Sequence, residues 1–292
     1  MFEEYFLGIA ENLRPTEELG DYKGSDGLLY CGNCKAPKES YVKYGDKNVI
    51  CGIPCDCQKE KQNAEKAQRE KEKIEERRRK AFSSQNSRRL DYTFARDDHA
   101  TPEVTKQLKA YCENFSTYRN SGIGLLLYSR TNGGGKTFFA CAVANELIEQ
   151  GYFVRVTDFM TLRDEMFERR EGKPAYIQEL RKYDLLVIDD FGSESGTEHM
   201  REVEYRIIND LTENQVPIIL TTNYTLDDMD NTSDTGKKRI FDRVFGNCVA
   251  ISIDPPAGKS RRLVNSKRIF ADFKELVSTS EARMNFEKRR IK

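Results

Sequence analysis

The chain has 292 residues, 38% hydrophobic and 33% charged, with 48 Lys and Arg against 48 Asp and Glu. This length fits one or two domains, and so polar a composition leaves part of the chain outside any packed core. Zero net charge excludes nucleic-acid binding through the overall field, so any such contact must come from local basic patches. No stretch reaches transmembrane length. The opening Met1-Phe-Glu-Glu-Tyr-Phe6 has acids where a signal peptide has a basic region, so a cytoplasmic protein is expected.

Phe2, Tyr5, Phe6, Ile9 and Leu13 share one face of a helix that Pro15 would end. Such a helix docks into a partner's groove or onto the neighbouring module. Five of the eight cysteines then crowd between Cys31 and Cys57, which in a reducing compartment points to a metal site, not disulfides. Cys31-Gly-Asn-Cys34 forms one knuckle, and Cys51-Gly-Ile-Pro-Cys55-Asp-Cys57 supplies the second half. The preferred zinc ligands are Cys31, Cys34, Cys55 and Cys57, with Cys51 as a substitute. Four thiolates leave no open position, so the Zn²⁺ would be structural, stapling a module too small for its own core.

Residues 58–82 lack Gly and Pro, and sixteen of the twenty-three from Gln58 to Lys80 are charged. The stretch reads as a solvated spacer helix supported by Glu65–Arg69, Glu75–Arg79 and Glu76–Lys80 at i,i+4. Its basic end, Arg77 to Lys80 with Arg88 and Arg89 beyond, is read as a soluble face, phosphate contact being the alternative. Ser83 to Ser87 forms a polar linker. The expected division is 1–57, 58–90, 91–280 and a basic tail, 281–292.

Asp91-Tyr-Thr-Phe94 opens the second domain, and Lys106 to Tyr118 reads as one helix with Leu108, Tyr111, Cys112 and Phe115 on a face. Leu125 to Tyr128 is a buried strand, followed by Gly133, Gly134, Gly135, Lys136, Thr137 and an Ala-rich helix. Strand, glycine turn, Lys-Thr and helix form a phosphate-binding loop. Asn132 to Phe138 (Asn132, Gly133, Gly134, Gly135, Lys136, Thr137, Phe138) would cradle ATP phosphates with backbone N–H groups and a helix N-terminus. Lys136 would reach the β- and γ-phosphates, and Thr137 would ligate Mg²⁺. Arg130 stands where the usual pattern has its first Gly, which is expected to change how the chain enters the loop.

Gly151 ends that helix, Tyr152 to Val156 is a strand, and Asp158 caps a helix carrying Leu162, Met166 and Phe167. The apolar run after Tyr183 delivers Asp189 and Asp190 to a strand's carboxyl end, where ligands of parallel sheets lie. Asp189 would hold Mg²⁺ through water, and Asp190 would orient the attacking water or accept its proton. After a helix from about His199 to Glu213, the strand Val216 to Thr222 ends at Asn223, placed to sense the γ-phosphate. Arg239 and Arg243 share a helical face, Val249 to Ile253 is the last strand, and Arg262 in Gly258-Lys-Ser-Arg-Arg262 would return a cation to the phosphates. A short helix follows over Ile269 to Val277. Cys112, Cys141 and Cys248 read as core residues.

Taken together, Arg130 to Thr137 resembles a Walker A motif, Leu185 to Gly192 a Walker B with Asp-Asp, and Thr222-Asn223 a sensor 1. Arg239-Ile-Phe-Asp-Arg243 resembles the box that supplies an arginine finger, and Gly258 to Arg262 a sensor 2. With the cysteine cluster and Asp91 to Phe94, nearly the whole chain resembles bacterial and phage replicative-helicase loaders of the DnaC/DnaI type. These lie within the AAA+ ATPases that also include IstB transposition helpers. The resemblance implies an α/β fold: a P-loop three-layer αβα domain with a five-stranded parallel sheet, behind a zinc module and a charged linker helix. It implies slow ATP hydrolysis stimulated by partner or DNA. The zinc module would grip the hexameric replicative helicase, and the ATPase domains would self-associate, each site completed by a neighbour's Arg239 or Arg243. Single-stranded DNA would be bound, and no membrane. The alternatives are an IstB-like transposition helper and a non-hydrolysing zinc adaptor switched by ATP binding.

Overall fold

The computed structural model describes residues 15, 17–44, 47–82, 87–169, 172–192, 198–254, 260–262, 266–267 and 269–271. The helix expected over 1–14, most of the 83–87 linker, residues 258–259, most of the 269–277 helix and the 281–292 tail lie outside them. The chain separates into two compact units, Met1–Lys73 and Ile74–Lys292, divided within helix α1 (Asp56–Ala81).

In the first unit, β1 (Tyr22–Lys23) pairs antiparallel with β2 (Leu29–Tyr30), and β3 (Glu39–Tyr44) with β4 (Lys47–Gly52). Among the described residues of this unit, the buried apolar side chains are only Leu28, Leu29, Cys31 and Cys55. At about 1.5–3 kcal/mol per buried leucine, this core does not offset the entropy of ordering the unit. Polar contacts order what the core cannot. Asp21 accepts from Lys38 Nζ at 2.6 Å, from the Gly32 N–H at 2.9 Å and from the Glu18 N–H at 3.0 Å. The Lys38 ammonium and these N–H groups hold the Asp21 carboxyl down at about 2. Gly32 lies inside the Cys31–Cys34 knuckle, so this bond also fixes the knuckle.

Helix α1 is stabilised along its exposed face by local pairs, as its composition predicts. Glu76–Lys80 forms at 2.7 Å, whereas the Glu75 carboxylate takes Arg78 at i+3, and Arg79 Nε donates instead to the Glu75 carbonyl. The last turn reaches the second unit's core: Ala81 and Phe82 are buried, and Phe82 adds a parallel bridge to Val156.

The second unit carries the expected five-stranded parallel sheet. Its strands are β5 (Gly124–Tyr128), β6 (Val154–Thr157), β7 (Leu185–Phe191), β8 (Ile218–Thr222) and β9 (Cys248–Ser252), in the order β6-β7-β8-β5-β9. Strand alternation divides the apolar residues between two cores. Leu125, Leu127, Leu185, Val187 and Ile219 face α2 (Pro102–Glu113), α3 (Phe115–Ser121) and α4 (Lys136–Glu149). Leu126, Leu186, Ile188, Ile218 and Leu220 face α5 (Phe159–Glu168), α6 (Lys173–Leu180), α7 (Glu198–Glu213) and α9 (Thr235–Asn247). Short α8 (Leu226–Asp230) buries Met229 on the same side. Burial on both faces explains why β5, β7 and β8 read as continuous apolar runs, whereas the edge strand β9 is mostly exposed.

Two local expectations change. The helix foreseen from Lys106 to Tyr118 breaks at Asn114, whose Nδ2 donates to the Ala110 carbonyl at 2.9 Å, so α2 and α3 are separate. In α5, capped by Asp158 as expected, Leu162 and Met166 are buried four residues apart, but Phe167 lies a further step around the helix and is 49% exposed.

Gly124 opens β5 where the neighbouring strand leaves no room for a side chain: a Cβ there would lie 1.9 Å from the Ile218 carbonyl oxygen. Gly124→Ala must push β5 and β8 apart and should destabilise the second unit by about 1–3 kcal/mol or more, read as a lower urea midpoint. An unchanged midpoint would mean that this approach is not tight.

Candidate functional site: a phosphate loop with paired acids, and a tetracysteine centre

The phosphate loop leaves strand β5, which lies between β8 and β9, and ends where Lys136 starts α4. Gly135 at the helix N-cap has φ +107°, and a Cβ there would also meet the Arg261 guanidinium. Only glycine takes this backbone without strain. Gly134 is buried, Asn132 is exposed, and Phe138 turns away to pack on Tyr92, with ring centroids 5.5 Å apart. Arg130 is accommodated by an acid the sequence reading did not single out. Asp254, just beyond β9, accepts from the Arg130 N–H at 3.1 Å and from Ser129 Oγ at 2.8 Å. Arg130 keeps out of the positive-φ region, so the position does not demand glycine. Its guanidinium lies 3.7 Å from Asp227 on an exposed surface, a pair worth about 0–1 kcal/mol at most.

The acids stand where β7 meets β8. Asp189 is buried; its Oδ1 accepts from Thr137 Oγ1 at 2.9 Å and Thr221 Oγ1 at 2.6 Å, and its Oδ2 from Arg89 at 2.7 Å. Neighbouring Asp190 is exposed. A register shift between Ile188 and Phe191 puts it at φ +60°, with its N–H donating to Thr221 Oγ1 at 2.8 Å. The irregularity re-aims one carboxylate outward while its neighbour stays in the sheet. Lys136 Nζ donates to Asn223 Oδ1 at 2.7 Å, and Asn223 Nδ2 reaches Asp190 at 3.4 Å. Burial, with the nearby charge of Arg262, lowers the Lys136 ammonium from its usual value, against the pull of Asp190 and Asp189. The residues present fit a metal-bound nucleotide: a Thr hydroxyl and a carboxylate converge beside a lysine at a helix N-terminus.

Lys136, Thr137, Asp189, Asp190 and Asn223 thus come together from three segments. Arg262 lies against Gly133. Arg261, not singled out from sequence, does more to close the loop: its N–H donates to the Gly133 carbonyl at 3.1 Å and its guanidinium to Thr101 Oγ1 at 3.0 Å, 5.5 Å over the Phe139 ring. Arg239 and Arg243 are elsewhere, 5.6 Å over the Tyr205 ring and 4.0 Å from Glu213, both on α7. The buried thiols of Cys112 and Cys141 are pushed up by desolvation, as is Cys248, so all three behave as inert core groups.

In the first unit, the Sγ atoms of Cys31, Cys34, Cys55 and Cys57 all lie within 4.8 Å of one another, while Cys51 sits on β4 outside the group. The Cys31–Cys57 and Cys55–Cys57 separations, 3.5 and 3.6 Å, approach the ~3.8 Å edge of a tetrahedral site with Zn–S of ~2.3 Å. Backbone N–H groups of Cys57 and Ala36 bring Cys34 down to about 6, and those of Cys34 and Asn33 lower Cys31. Cys57, facing these sulfurs, is pushed up to about 12, and burial raises Cys55. Four thiols that cannot all ionise together are what a divalent metal resolves, with release of protons. A structural zinc site contributes ~10–16 kcal/mol, far more than the two leucines. Replacing any of these four with Ser should lose one bound zinc per chain and the hairpin signals of residues 22–52, whereas Cys51→Ser should keep both. Zinc analysis with NMR distinguishes them, and zinc loss from Cys51→Ser would overturn the ligand set.

Residues 59–268 match the family model described as IstB-like ATP binding protein. Among curated relatives, the replicative helicase loader DnaI of Bacillus subtilis (strain 168) is 29% identical over 198 residues, covering 59% of this chain and 59% of that protein. The replicative helicase loader DnaC of Escherichia coli (strain K12) is 26% identical over 159 residues, covering 52% and 62%. The chain therefore spans about three-fifths of the length of these relatives. A crystal structure of the DnaC helicase loader superimposes with a TM-score of 0.49 at 20% identity, over 57% of this chain and 98% of that one. The family match runs from α1 past the last strand and takes in the phosphate loop, both acids and Asn223: the chain is a member of the IstB-like ATP-binding protein family.

Proposed function

We propose that this protein is an ATP-dependent loader that binds a hexameric replicative DNA helicase and delivers it onto single-stranded DNA. The observation that carries the ATPase part is the chain from Lys136 through Asn223 to Asp190, set beside Thr137 and Asp189. Backbone N–H groups of the loop and the α4 N-terminus bind the phosphates, and Lys136 neutralises the β- and γ-oxygens. Mg²⁺, held by Thr137 and Asp189, would supply further positive charge there. Asp190, turned out of the sheet, holds the attacking water and takes its proton. Asn223 is bonded to both Lys136 and Asp190 and so ties base position to the γ-phosphate. Because Arg239 and Arg243 contact α7 of their own chain, one of them serves a neighbour's site on self-association. Turnover is slow until a partner or DNA completes that arrangement.

The loader part is supported by similarity to DnaI and DnaC and by the tetracysteine unit, which would be the grip on the helicase. No described helix is long and apolar enough to cross a membrane, in keeping with a cytoplasmic role. A transposition helper is the second reading, favoured by the IstB-like description of the family. It calls for duplex DNA and a transposase.

Lys136→Ala should abolish nucleotide binding, while Asp190→Asn should still bind but hydrolyse ~10²–10⁴-fold more slowly, read by fluorescent-nucleotide binding and phosphate release. Nucleotide binding with no phosphate release above background in wild type and Asp190→Asn alike would leave a nucleotide-switched adaptor. For the partner, the decisive quantity is the mass of the complex with the host's replicative helicase, ATP and Mg²⁺. The intact chain should bind and a chain lacking residues 1–57 should not. Binding by neither, with capture of duplex DNA, would move the assignment to the transposition helper.

A further inference from the structure

Arg89 is the residue the nucleotide chemistry leaves unused. It belongs to a 3₁₀ turn, Ser87–Asp91, that follows α1 in the chain. Its guanidinium bonds Asp189 Oδ2 at 2.7 Å, with the Arg89 side chain 20% exposed and that of Asp189 5%. The other oxygen, Oδ1, is already shared by Thr137 and Thr221. The turn is seated on α4 at further points. Asn145 Nδ2 donates to the Arg89 carbonyl at 3.3 Å and the Tyr92 carbonyl at 2.9 Å, and the Tyr92 ring packs on Phe138. The turn is therefore latched to the phosphate-loop helix through Asn145 and, through Arg89, to the β7 carboxylate read above as the metal ligand.

We propose that Arg89 competes with the divalent cation for Asp189, so that loading the metal with nucleotide frees the Arg89 guanidinium and loosens the 87–92 segment. A guanidinium and a divalent cation on one buried carboxylate lie a few Å apart, where screening is weak and their repulsion far exceeds thermal energy. Each therefore weakens the other, and the coupling is reciprocal. Arg89 shields Asp189 when the cation is low and yields as it rises. The loosened turn follows α1 in the chain and lies within the ATPase unit, so metal–nucleotide loading would be reported there.

The inference rests on the nucleotide-site reading, and the test separates the two. The full-length chain is titrated with N-methylanthraniloyl-ADP in Mg²⁺ and in EDTA, and the ratio of the two dissociation constants is compared between wild type, Arg89→Ala and Arg89→Lys. Removing the competitor should raise the EDTA/Mg²⁺ ratio by roughly 5- to 150-fold, the usual range of site-to-site coupling, while Arg89→Lys, which keeps the charge, should stay near wild type. Loss of packing alone would weaken both constants equally, so an unchanged ratio overturns the proposal. A fall in the ratio would also overturn it, making Arg89 a support of the metal site. Should Arg89→Ala not fold, hydrogen exchange of wild-type peptides covering 87–92 decides: faster exchange with Mg²⁺ and ADP is expected, and none sinks the idea. Failure of the wild type to bind the nucleotide under either condition removes the site reading and this inference together.

Discussion

A carboxylate buried at the end of an interior strand has to be compensated, and in the second unit that carboxylate is Asp189. Water cannot solvate it, so protein groups must. Thr137 comes from the phosphate loop, Thr221 from the adjacent strand and Arg89 from the turn that follows α1. Meeting this one requirement draws β7, β8, the start of α4 and the connecting turn to a common point. The same convergence creates the candidate chemistry, because hydroxyl, carboxylate and nearby lysine are the groups a metal–phosphate needs.

The register shift after Ile188 complements this arrangement. An unbroken strand would point Asp190 into the opposite core; the positive φ turns it out toward Asn223. Thr221 serves both acids, accepting from the Asp190 N–H and donating to the Asp189 carboxylate. A single hydroxyl thus fixes how two adjacent carboxylates diverge, one toward the metal position and one toward the attacking water in the proposed mechanism.

The two units solve the stability problem by different means. The second buries two apolar layers against a sheet that needs no crosslink. The first buries few apolar side chains among its described residues and depends on charge: the Asp21–Lys38 pair bracing the Gly32 knuckle, and four thiols within reach of one ion. Such a unit is ordered by chemistry that can be withdrawn, whereas the sheet is ordered by burial that cannot.

The sequence by itself determined the strands, the phosphate loop, the paired acids and the two cysteine pairs, because these depend on local periodicity and on spacings of a few residues. That the strands join in one five-stranded parallel sheet was what the family resemblance implied, and the structure bears it out. It misjudged the Lys106–Tyr118 stretch, where an Asn side chain competes with the helix, and the side of α5 on which Phe167 falls. Asp254 holding the loop at Arg130, Arg261 closing it over Gly133 and Arg89 on Asp189 were invisible in the chain. Each joins residues separated by 100 or more positions or depends on which surface a cation happens to cover. The densest basic run, Arg77 to Arg89, read as solvated surface, and folding turned Arg78 onto Glu149 and Arg89 onto the buried Asp189. Only the tertiary structure could decide this, because the charge that selects Arg89 lies on another strand, and a sequence shows a cation without showing which buried anion needs it.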